Sequence, residues 1–229
     1  MADLDPFESS MTMTVEIFVD LICPHSYIAV RRFEAALAQF EAGDHVEVVW
    51  RGFQLDTRRE RSYAEILVRR MMRNHGMSRA EALDVTVHVQ ATLADAAARE
   101  GLAYQPATAR PVNTFDAHRM LHLAAEHGRC HAAVRRIQQA YFADGMAIGD
   151  PETLAMLVAG VGVDLDEARL VALGDAYSDA VLEDRERAES LGIGGVPFFL
   201  FDERYAVSGA QSARWLLAAM RHCWSPQRV

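Results

Sequence analysis

A cysteine followed by a proline lies at the point where a strand-like pattern changes into a helical one. Residues 15–22 are apolar except for Glu16 and Asp20 and are rich in β-branched side chains, which predicts a buried strand. Beyond them, apolar residues three and four positions apart predict one face of a helix that ends at Gly43: Val30, Phe33, Leu37 and Phe40. Pro24 suits the first helical position, so Cys23 is predicted to be the N-cap of this helix.

The predicted helix start favours ionisation of the Cys23 thiol. Free backbone N–H groups and the positive end of the helix dipole face the sulfur, and a protonated His25 lowers the pKa of the thiol further. An unperturbed thiol has a pKa of about 8.5, whereas helix N-termini bring it to roughly 3.5–7.5. We therefore predict a reactive thiolate at Cys23. The alternative is a buried cysteine in a strand-to-helix turn.

Ser26 occupies the position at which a Cys-X-X-Cys motif has its second cysteine. A hydroxyl group cannot form a disulfide, so a mixed disulfide on Cys23 cannot be resolved within the motif. Resolution must come from Cys130, from Cys223 or from an external thiol. Each of the two other cysteines is more often an incidental thiol than a resolving partner. The sequence also leaves open that Ser26 is an engineered replacement of a cysteine, made to trap such an adduct.

The charge balance disfavours nucleic acid as a partner. The 229 residues include 23 basic and 32 acidic side chains, for a net charge of −9, so a phosphate backbone is repelled overall. The arginines in residues 58–61 and 69–73 stand among acidic neighbours. They are predicted to form solvated helix faces or the rim of a substrate groove.

Cysteine usage and the first residues predict a cytoplasmic protein. Three cysteines at wide spacings do not make a disulfide framework and indicate reduced thiols. Residues 1–13 are acidic and lack the basic start and the apolar stretch of a secretory signal, so we predict a tail there. No run approaches the roughly 18 apolar residues that span a bilayer, which argues against a membrane partner.

Three segments of different periodicity divide the chain. Residues 13–57 contain the first strand, the helix and a second strand-like run at residues 46–53, a βαβ order. Residues 58–192 show helical periodicity almost throughout and predict an all-helical insertion. Residues 193–229 contain a predicted β-hairpin and a closing helix at residues 213–222, a ββα order. The predicted class is α/β.

Local signals place the ends of several of these elements. Side chains that cap helix N-termini occur at Ser78, Asn113, Asp150 and Asp164. In the last segment, residues 196–201 and 205–207 are predicted to pair as a hairpin around a turn at residues 202–204.

Ordered motifs along the chain resemble one family. They are the Cys-Pro-His turn, Asn-Thr-Phe-Asp-Ala-His-Arg at residues 113–119, Ala-Tyr-Phe at 140–142, Gly-Gly-Val-Pro-Phe-Phe at 194–199 and Ser-Gly-Ala-Gln at 208–211. Over roughly residues 13–223 the chain is similar to the DsbA family of oxidoreductases, and within it to the cytoplasmic FrnE-like branch. The resemblance implies a thioredoxin fold with a large helical insertion and a thiol–disulfide oxidoreductase.

The resemblance also implies roles for the residues of the motif. Cys23 matches the catalytic nucleophile, and Pro24 and His25 match the pair that tunes its reactivity. Ser26 matches the position of the resolving cysteine, which is absent. The predicted chemistry is therefore exchange through a single cysteine and a mixed-disulfide intermediate, and dithiol activity is in doubt.

Four further residues are predicted to bind substrate. Pro197 matches the cis-proline of the family, and Val196 matches the residue whose backbone pairs with an extended substrate. Gln211 matches a turn that contacts the γ-glutamyl group in glutathione-using relatives, although a capping and packing role is equally expected. His118 is predicted to line the groove over Cys23, against the alternative of a partly buried helix histidine.

Related branches leave a second function open. Kappa-class glutathione transferases and 2-hydroxychromene-2-carboxylate isomerases have serine at the position of Cys23 and activate glutathione. The alternative is therefore a glutathione-dependent transferase or isomerase acting on a small aromatic or polyketide-like substrate, and a third option is a binding protein without catalysis. We predict no tightly bound cofactor, glutathione as a co-substrate, a protein or small-molecule thiol as substrate, and a monomer or homodimer.

Two histidine pairs have the four-residue spacing of metal ligands on one helix face. They are His118 with His122 and His127 with His131. No aspartate or glutamate completes an evident ligand set in the sequence, and residues 113–123 already match a helix of the family. We therefore predict no metal site.

Overall fold

A computed structural model describes residues 12–57 and 61–224. Of the N-terminal tail predicted for residues 1–13, residues 1–11 lie outside these ranges. Residue 58, where the predicted helical insertion begins, also lies outside them. Among the described helices, none combines the length and the apolar character that a membrane-spanning segment needs.

Four strands of the described chain form one mixed sheet in the order β2-β1-β3-β4. They are β1 (Met13–Val19), β2 (Val46–Gly52), β3 (Phe198–Phe201) and β4 (Tyr205–Ser208). β1 lies parallel to β2, with Met13 opposite Val46, and antiparallel to β3, with Val15 opposite Phe201. β3 and β4 form the predicted antiparallel hairpin. The strand runs were predictable because β-branched and aromatic residues fill them.

Helices connect and surround this sheet. They are α1 (Pro24–Leu37), α2 (Tyr63–His75), α3 (Arg79–Arg99), α4 (Phe115–Glu126), α5 (Cys130–Phe142), α6 (Pro151–Ala159), α7 (Leu165–Leu173), α8 (Ser178–Ser190) and α9 (Ala213–Trp224). The order is βαβ, then helices α2 to α8, then ββα. The predicted α/β class, a thioredoxin fold with a large helical insertion, is confirmed.

α1 ends before the predicted Gly43. The N–H of Phe40 donates to the carbonyl of Leu37 at 3.1 Å, so the chain leaves the helix through a tighter turn. Although Phe40 lies in that turn and not in the helix, its side chain is buried. Its apolar side chain therefore continues the helical pattern in the sequence although its backbone has left the helix.

The predicted caps are present with one shift. Ser78, Asp150 and Asp164 are N-caps whose side chains accept backbone N–H groups. The N-cap of α4 is Thr114, not Asn113. The side chain of Asn113 still accepts the N–H of Phe115 at 2.9 Å, which satisfies a free donor of the first turn from one residue earlier.

One buried core extends from the sheet into the helical insertion. Ile17, Phe33 and Phe199 lie in the same apolar cluster as Met120 and Tyr141 of α4 and α5. Burial of each such side chain contributes roughly 1.5–3 kcal/mol. Packing of the sheet against the helical insertion therefore holds the strand ends that position the site.

Asp184 of α8 fixes the end of β2. Its fully buried carboxylate accepts the N–H of Gly52 at 2.7 Å, a guanidinium N–H of Arg51 at 3.1 Å and a hydrogen bond from Nε2 of His122 at 3.0 Å. The end of β2 lies beside the end of β1, which leads into Cys23. The insertion thus supports the strand end from which the site is built.

We expect Asp184→Ala to lower the free energy of unfolding by about 3 kcal/mol, because the buried Gly52 N–H and the Arg51 guanidinium lose their acceptor. Urea denaturation measures the change. Glu183→Ala, an exposed carboxylate on the same helix, is the control and should change stability by less than about 0.5 kcal/mol. Equal effects of the two substitutions would contradict this role of Asp184.

Candidate functional site

Cys23 is the N-cap of α1, with Pro24 at the first helical position. Its backbone is extended, with φ −86° and ψ 113°, and its N–H donates to the carbonyl of Asp20 at 3.1 Å. Its carbonyl accepts the N–H of Tyr27 at 3.0 Å and so begins the helix. Only 2% of Cys23 is exposed. The predicted strand-to-helix turn is present, and it holds the sulfur in a nearly closed position.

The loop before β3 approaches Cys23 from the other end of the chain. The Val196–Pro197 peptide bond is cis, and the Cys23 thiol donates to the carbonyl of Val196 across 3.5 Å between Sγ and O. The carbonyl of Pro197 accepts the N–H of Gly209 at 2.9 Å, where a φ of +81° suits glycine. The structure therefore brings together the two motifs predicted to form the site.

A cleft of about 480 Å³ opens beside Cys23, Val196 and Pro197. Its other lining residues come from the loop after β2, from α1, from α2 and from both ends of the hairpin. They are His25, Leu55, Tyr63, Arg70, residues 192–195, Phe198, Ser208 and Gly209. Gly192, Gly194 and Gly195 line the cleft without side chains, and a Cβ added at any of the three would meet no atom within 4 Å, so there is open space beside their backbone. The cleft has space for an extended chain beside the sulfur.

Burial raises the pKa of the Cys23 thiol to about 11. The nearby Asp20 carboxylate also raises this pKa, while the backbone N–H and hydroxyl of Ser26 and the backbone N–H of His25 lower it. The predicted lowering of this pKa is wrong. The donors of the helix start are present, but the loss of water around the sulfur outweighs them.

His25 is not a cationic partner of the thiol. Burial lowers the pKa of its imidazole, and the positive charge of Arg70 lowers it further. Nδ1 of His25 lies 3.1 Å from the hydroxyl of Tyr63, within hydrogen-bond distance. The imidazole is therefore neutral near pH 7, and His25 favours the thiolate through its backbone N–H.

Ser26 is fully buried in the first turn of α1. Its buried hydroxyl has no hydrogen-bond partner among the described residues, and this hydroxyl and the backbone N–H of Ser26 lower the pKa of the Cys23 thiol, which favours the ionised form. A resolving thiol at this position would be on the same turn as Cys23. Ser26 provides a hydrogen-bond donor in that place and no second sulfur.

His118 does not line the cleft, so its predicted role in the groove over Cys23 is wrong. Its side chain is fully buried and lies against Gly52, where an added Cβ would come within 3.0 Å of the ring. Its Nε2 is 3.8 Å from a carboxylate oxygen of Asp20. α4 packs this face into the core, and that packing determines the position of the ring.

Gln211 also lies outside the set of cleft-lining residues. Its side-chain amide donates to the carbonyl of Ser208 at 2.9 Å, and its backbone N–H donates to the carbonyl of Gly209. It therefore stabilises the turn whose first residues, Ser208 and Gly209, do line the cleft. This is the packing role that the sequence left open, and binding of substrate by Gln211 stays a prediction.

Three cleft residues had weak or no sequence signals. Arg70 belongs to the arginines of residues 69–73, for which the sequence predicts either a solvated helix face or the rim of a substrate groove. Tyr63 and Leu55 have no distinguishing sequence signal, because α2 and the loop before it show ordinary helical periodicity and turn composition. Their approach to Cys23 depends on how α2 packs, which periodicity does not encode.

The other two cysteines lie elsewhere. Cys130 lines a separate cavity with Trp50 and His131, and burial raises the pKa of its thiol to about 12. Cys223 is near the end of α9. All three thiols are free, and neither Cys130 nor Cys223 lines the Cys23 cleft.

The histidines of the two predicted pairs face different carboxylates. His122 contacts Asp184, His127 contacts Glu167 and His131 contacts Glu34, each at 2.9–3.0 Å, while His118 is directed towards Asp20. Residues 12–57 and 61–224 contain no group of three or more histidine, cysteine or acidic side chains that could hold a metal ion.

Solved structures with this architecture include redox proteins and an isomerase. A probable DsbA oxidoreductase from Streptomyces coelicolor is 39% identical, with a TM-score of 0.81 over 95% of this chain and 92% of that chain. Cytosolic disulfide reductase DsbM from Pseudomonas aeruginosa, solved with GSH, is 18% identical, with a TM-score of 0.63 over 91% and 98% of the two chains. A 2-hydroxychromene-2-carboxylate isomerase is 20% identical, with a TM-score of 0.66 over 91% and 95%.

The family comparison agrees with the site geometry. A comparison with curated protein sequences finds no significant match. The family model described as DSBA-like thioredoxin domain matches residues 14–221. That match begins in β1, contains the Cys23 turn and the cis-proline loop, and ends in α9. The chain therefore belongs to the DsbA family of thioredoxin-fold proteins.

Proposed function

We propose that this protein is a thiol–disulfide oxidoreductase of the FrnE-like branch that uses Cys23 as its single reactive cysteine. The observation that supports this most is the approach of the Cys23 sulfur to the Val196 carbonyl, 3.5 Å away, in an open cleft. When an incoming chain pairs with the backbone of Val196, the sulfur of that chain lies close to the Cys23 sulfur.

The exchange consists of two displacements. The Cys23 thiolate attacks one sulfur of a substrate disulfide, a bond forms between the two sulfurs, and the other substrate sulfur leaves as a thiolate. That leaving group takes the proton given up by Cys23. A second external thiol then attacks the mixed disulfide, forms a new disulfide with the bound sulfur and releases the Cys23 thiol.

Residues around the sulfur assist the first displacement. At neutral pH the resting thiol is protonated, since burial raises its pKa to about 11. The hydroxyl and N–H of Ser26 favour the thiolate as it forms. Because no second cysteine lines the cleft within the described residues, the substrate stays bound until an external thiol arrives.

We further propose that the substrate is a protein disulfide or a low-molecular-weight disulfide, with glutathione as co-substrate, and that the protein functions in the cytoplasm as a monomer or homodimer. An odd number of free cysteines supports a reducing compartment. The apolar and backbone lining of the cleft supports an extended thiol substrate.

A trapping experiment tests the proposed function. Incubation with oxidised glutathione should add one glutathionyl group, which peptide mass spectrometry should locate on Cys23. A second thiol, such as dithiothreitol or reduced glutathione, should release it and regenerate the unmodified protein. Modification only at Cys130 or Cys223, or an adduct on Cys23 that excess thiol does not release, would contradict the proposal.

A further inference from the structure

The cleft beside Cys23 has one formally charged side chain among its described lining residues, that of Arg70. The rest of the lining is apolar, polar but neutral, or backbone, and burial keeps His25 neutral near pH 7. This positive charge occurs on a chain whose net charge is −9. A cation in a cleft with low-dielectric walls interacts with a bound anion more strongly than a cation on the open surface does.

Arg70 is held towards the cleft by the helix that contains it. α2 begins with a capping box between Ser62 and Glu65, and its buried side chains include Ile66 and Leu67. Tyr63 and Arg70 are seven residues apart and so share one helix face, and both line the cleft. The packed first turns of α2 therefore present the guanidinium to the same space as the Cys23 sulfur.

The guanidinium of Arg70 has no carboxylate partner within the part of the chain that the structure describes. Other arginines near the core are paired: Arg32 with Glu100, Arg51 with Glu16 and Asp184, and Arg119 with Asp116. A partly buried guanidinium presents several N–H donors in a fixed fork that matches a carboxylate.

We propose that Arg70 binds a carboxylate of the small thiol that exchanges with Cys23, and that the cleft therefore selects anionic disulfides over neutral and cationic ones. This inference rests on the proposed function. The substrate class is a thiol with a carboxylate within reach of α2 when its sulfur lies at Cys23 and its backbone lies along Val196. Glutathione, with two carboxylates, belongs to this class. Arg70 acts on specificity and takes no part in the exchange of sulfur bonds.

The test compares three disulfides of different charge. Oxidised glutathione is anionic, hydroxyethyl disulfide is neutral and cystamine is cationic. The second-order rate of mixed-disulfide formation at Cys23 is measured by intact mass for the wild type, for Arg70→Gln and for Arg69→Gln. Arg69 is the matched control, because it is the adjacent arginine on α2, is exposed and does not line the cleft.

Arg70→Gln should slow the reaction with oxidised glutathione about tenfold, the effect expected for loss of a hydrogen bond between charged groups. It should leave the rate with hydroxyethyl disulfide within about twofold and increase the rate with cystamine. Arg69→Gln should change all three rates by less than about twofold. Added salt should reduce the preference of the wild type for the anionic disulfide.

The neutral disulfide separates the two ways in which the experiment can fail. If Cys23 reacts with none of the three disulfides, the proposed function is wrong and this inference is wrong with it. If Cys23 reacts with hydroxyethyl disulfide but Arg70→Gln and Arg69→Gln have the same rates with oxidised glutathione, the inference alone is overturned. An unchanged rate with the neutral disulfide also shows that Arg70→Gln is folded.

Discussion

We expect Cys23→Ser to abolish disulfide exchange, with a loss on the order of 10³-fold or more, because the hydroxyl that replaces the thiol cannot form a mixed disulfide. The substitution is nearly isosteric, and Cys23 bonds to its surroundings mainly through its backbone N–H and carbonyl. The fold should therefore persist. The measurement is the rate of glutathionyl transfer to and from the protein, with circular dichroism as the test of folding.

Cys130→Ser and Cys223→Ser are the matched controls for this loss. Neither residue lines the Cys23 cleft, and Cys130 lines a separate cavity with Trp50 and His131, so neither thiol is placed beside the Val196 backbone where the substrate would pair. Both variants should exchange at wild-type rates. A protein that forms the Cys23 adduct but loses its release in either variant would identify an internal resolving cysteine and contradict the external-thiol step.

The Cys23→Ser variant also distinguishes the proposed redox function from the alternative, a glutathione-dependent transferase or isomerase. The glutathione-using relatives have serine at the position of Cys23, so a transferase or isomerase activity should survive Cys23→Ser. Retention of glutathione-dependent conversion of an aromatic substrate in that variant, together with loss of exchange, would favour the alternative. Loss of every activity, with glutathione binding unchanged, would favour redox catalysis at Cys23.

Local pattern was sufficient to predict much of the fold. The β-branched run of β1, the proline after Cys23 and the hairpin of β3 and β4 are short-range signals, and each corresponds to an element of the structure. The side chains of Ser78, Asp150 and Asp164 cap the helices that follow them. These signals work because a cap or a fixed φ acts on its own few residues.

The candidate site depended on contacts that local pattern does not contain. The sequence predicts His118 in the groove over Cys23, but the packing of α4 buries its ring against Gly52. Arg70 lies in the cleft because α2 packs beside the Cys23 turn. The pKa of Cys23 is a further case, since desolvation of the sulfur is a property of the whole tertiary structure.

The direction of this pKa shift makes a prediction with a large effect. A thiol whose pKa is about 11 is ionised in about one molecule in 10⁴ at pH 7. Only the thiolate reacts with iodoacetamide. The alkylation rate of Cys23 should therefore rise about tenfold with each pH unit between pH 7 and pH 10, or about 10³-fold in total.

A lowered pKa gives the opposite profile. A thiol with a pKa of about 6 is already ionised at pH 7, so its alkylation rate would be flat above that pH. Limited access to the buried sulfur slows alkylation by the same factor at every pH, so the slope reports ionisation separately from access. Peptide mass spectrometry distinguishes label on Cys23 from label on Cys130 and Cys223. A plateau between pH 7 and pH 9 would show that the donors of Ser26 and of the helix start outweigh burial, whereas a continuous rise would show that they do not.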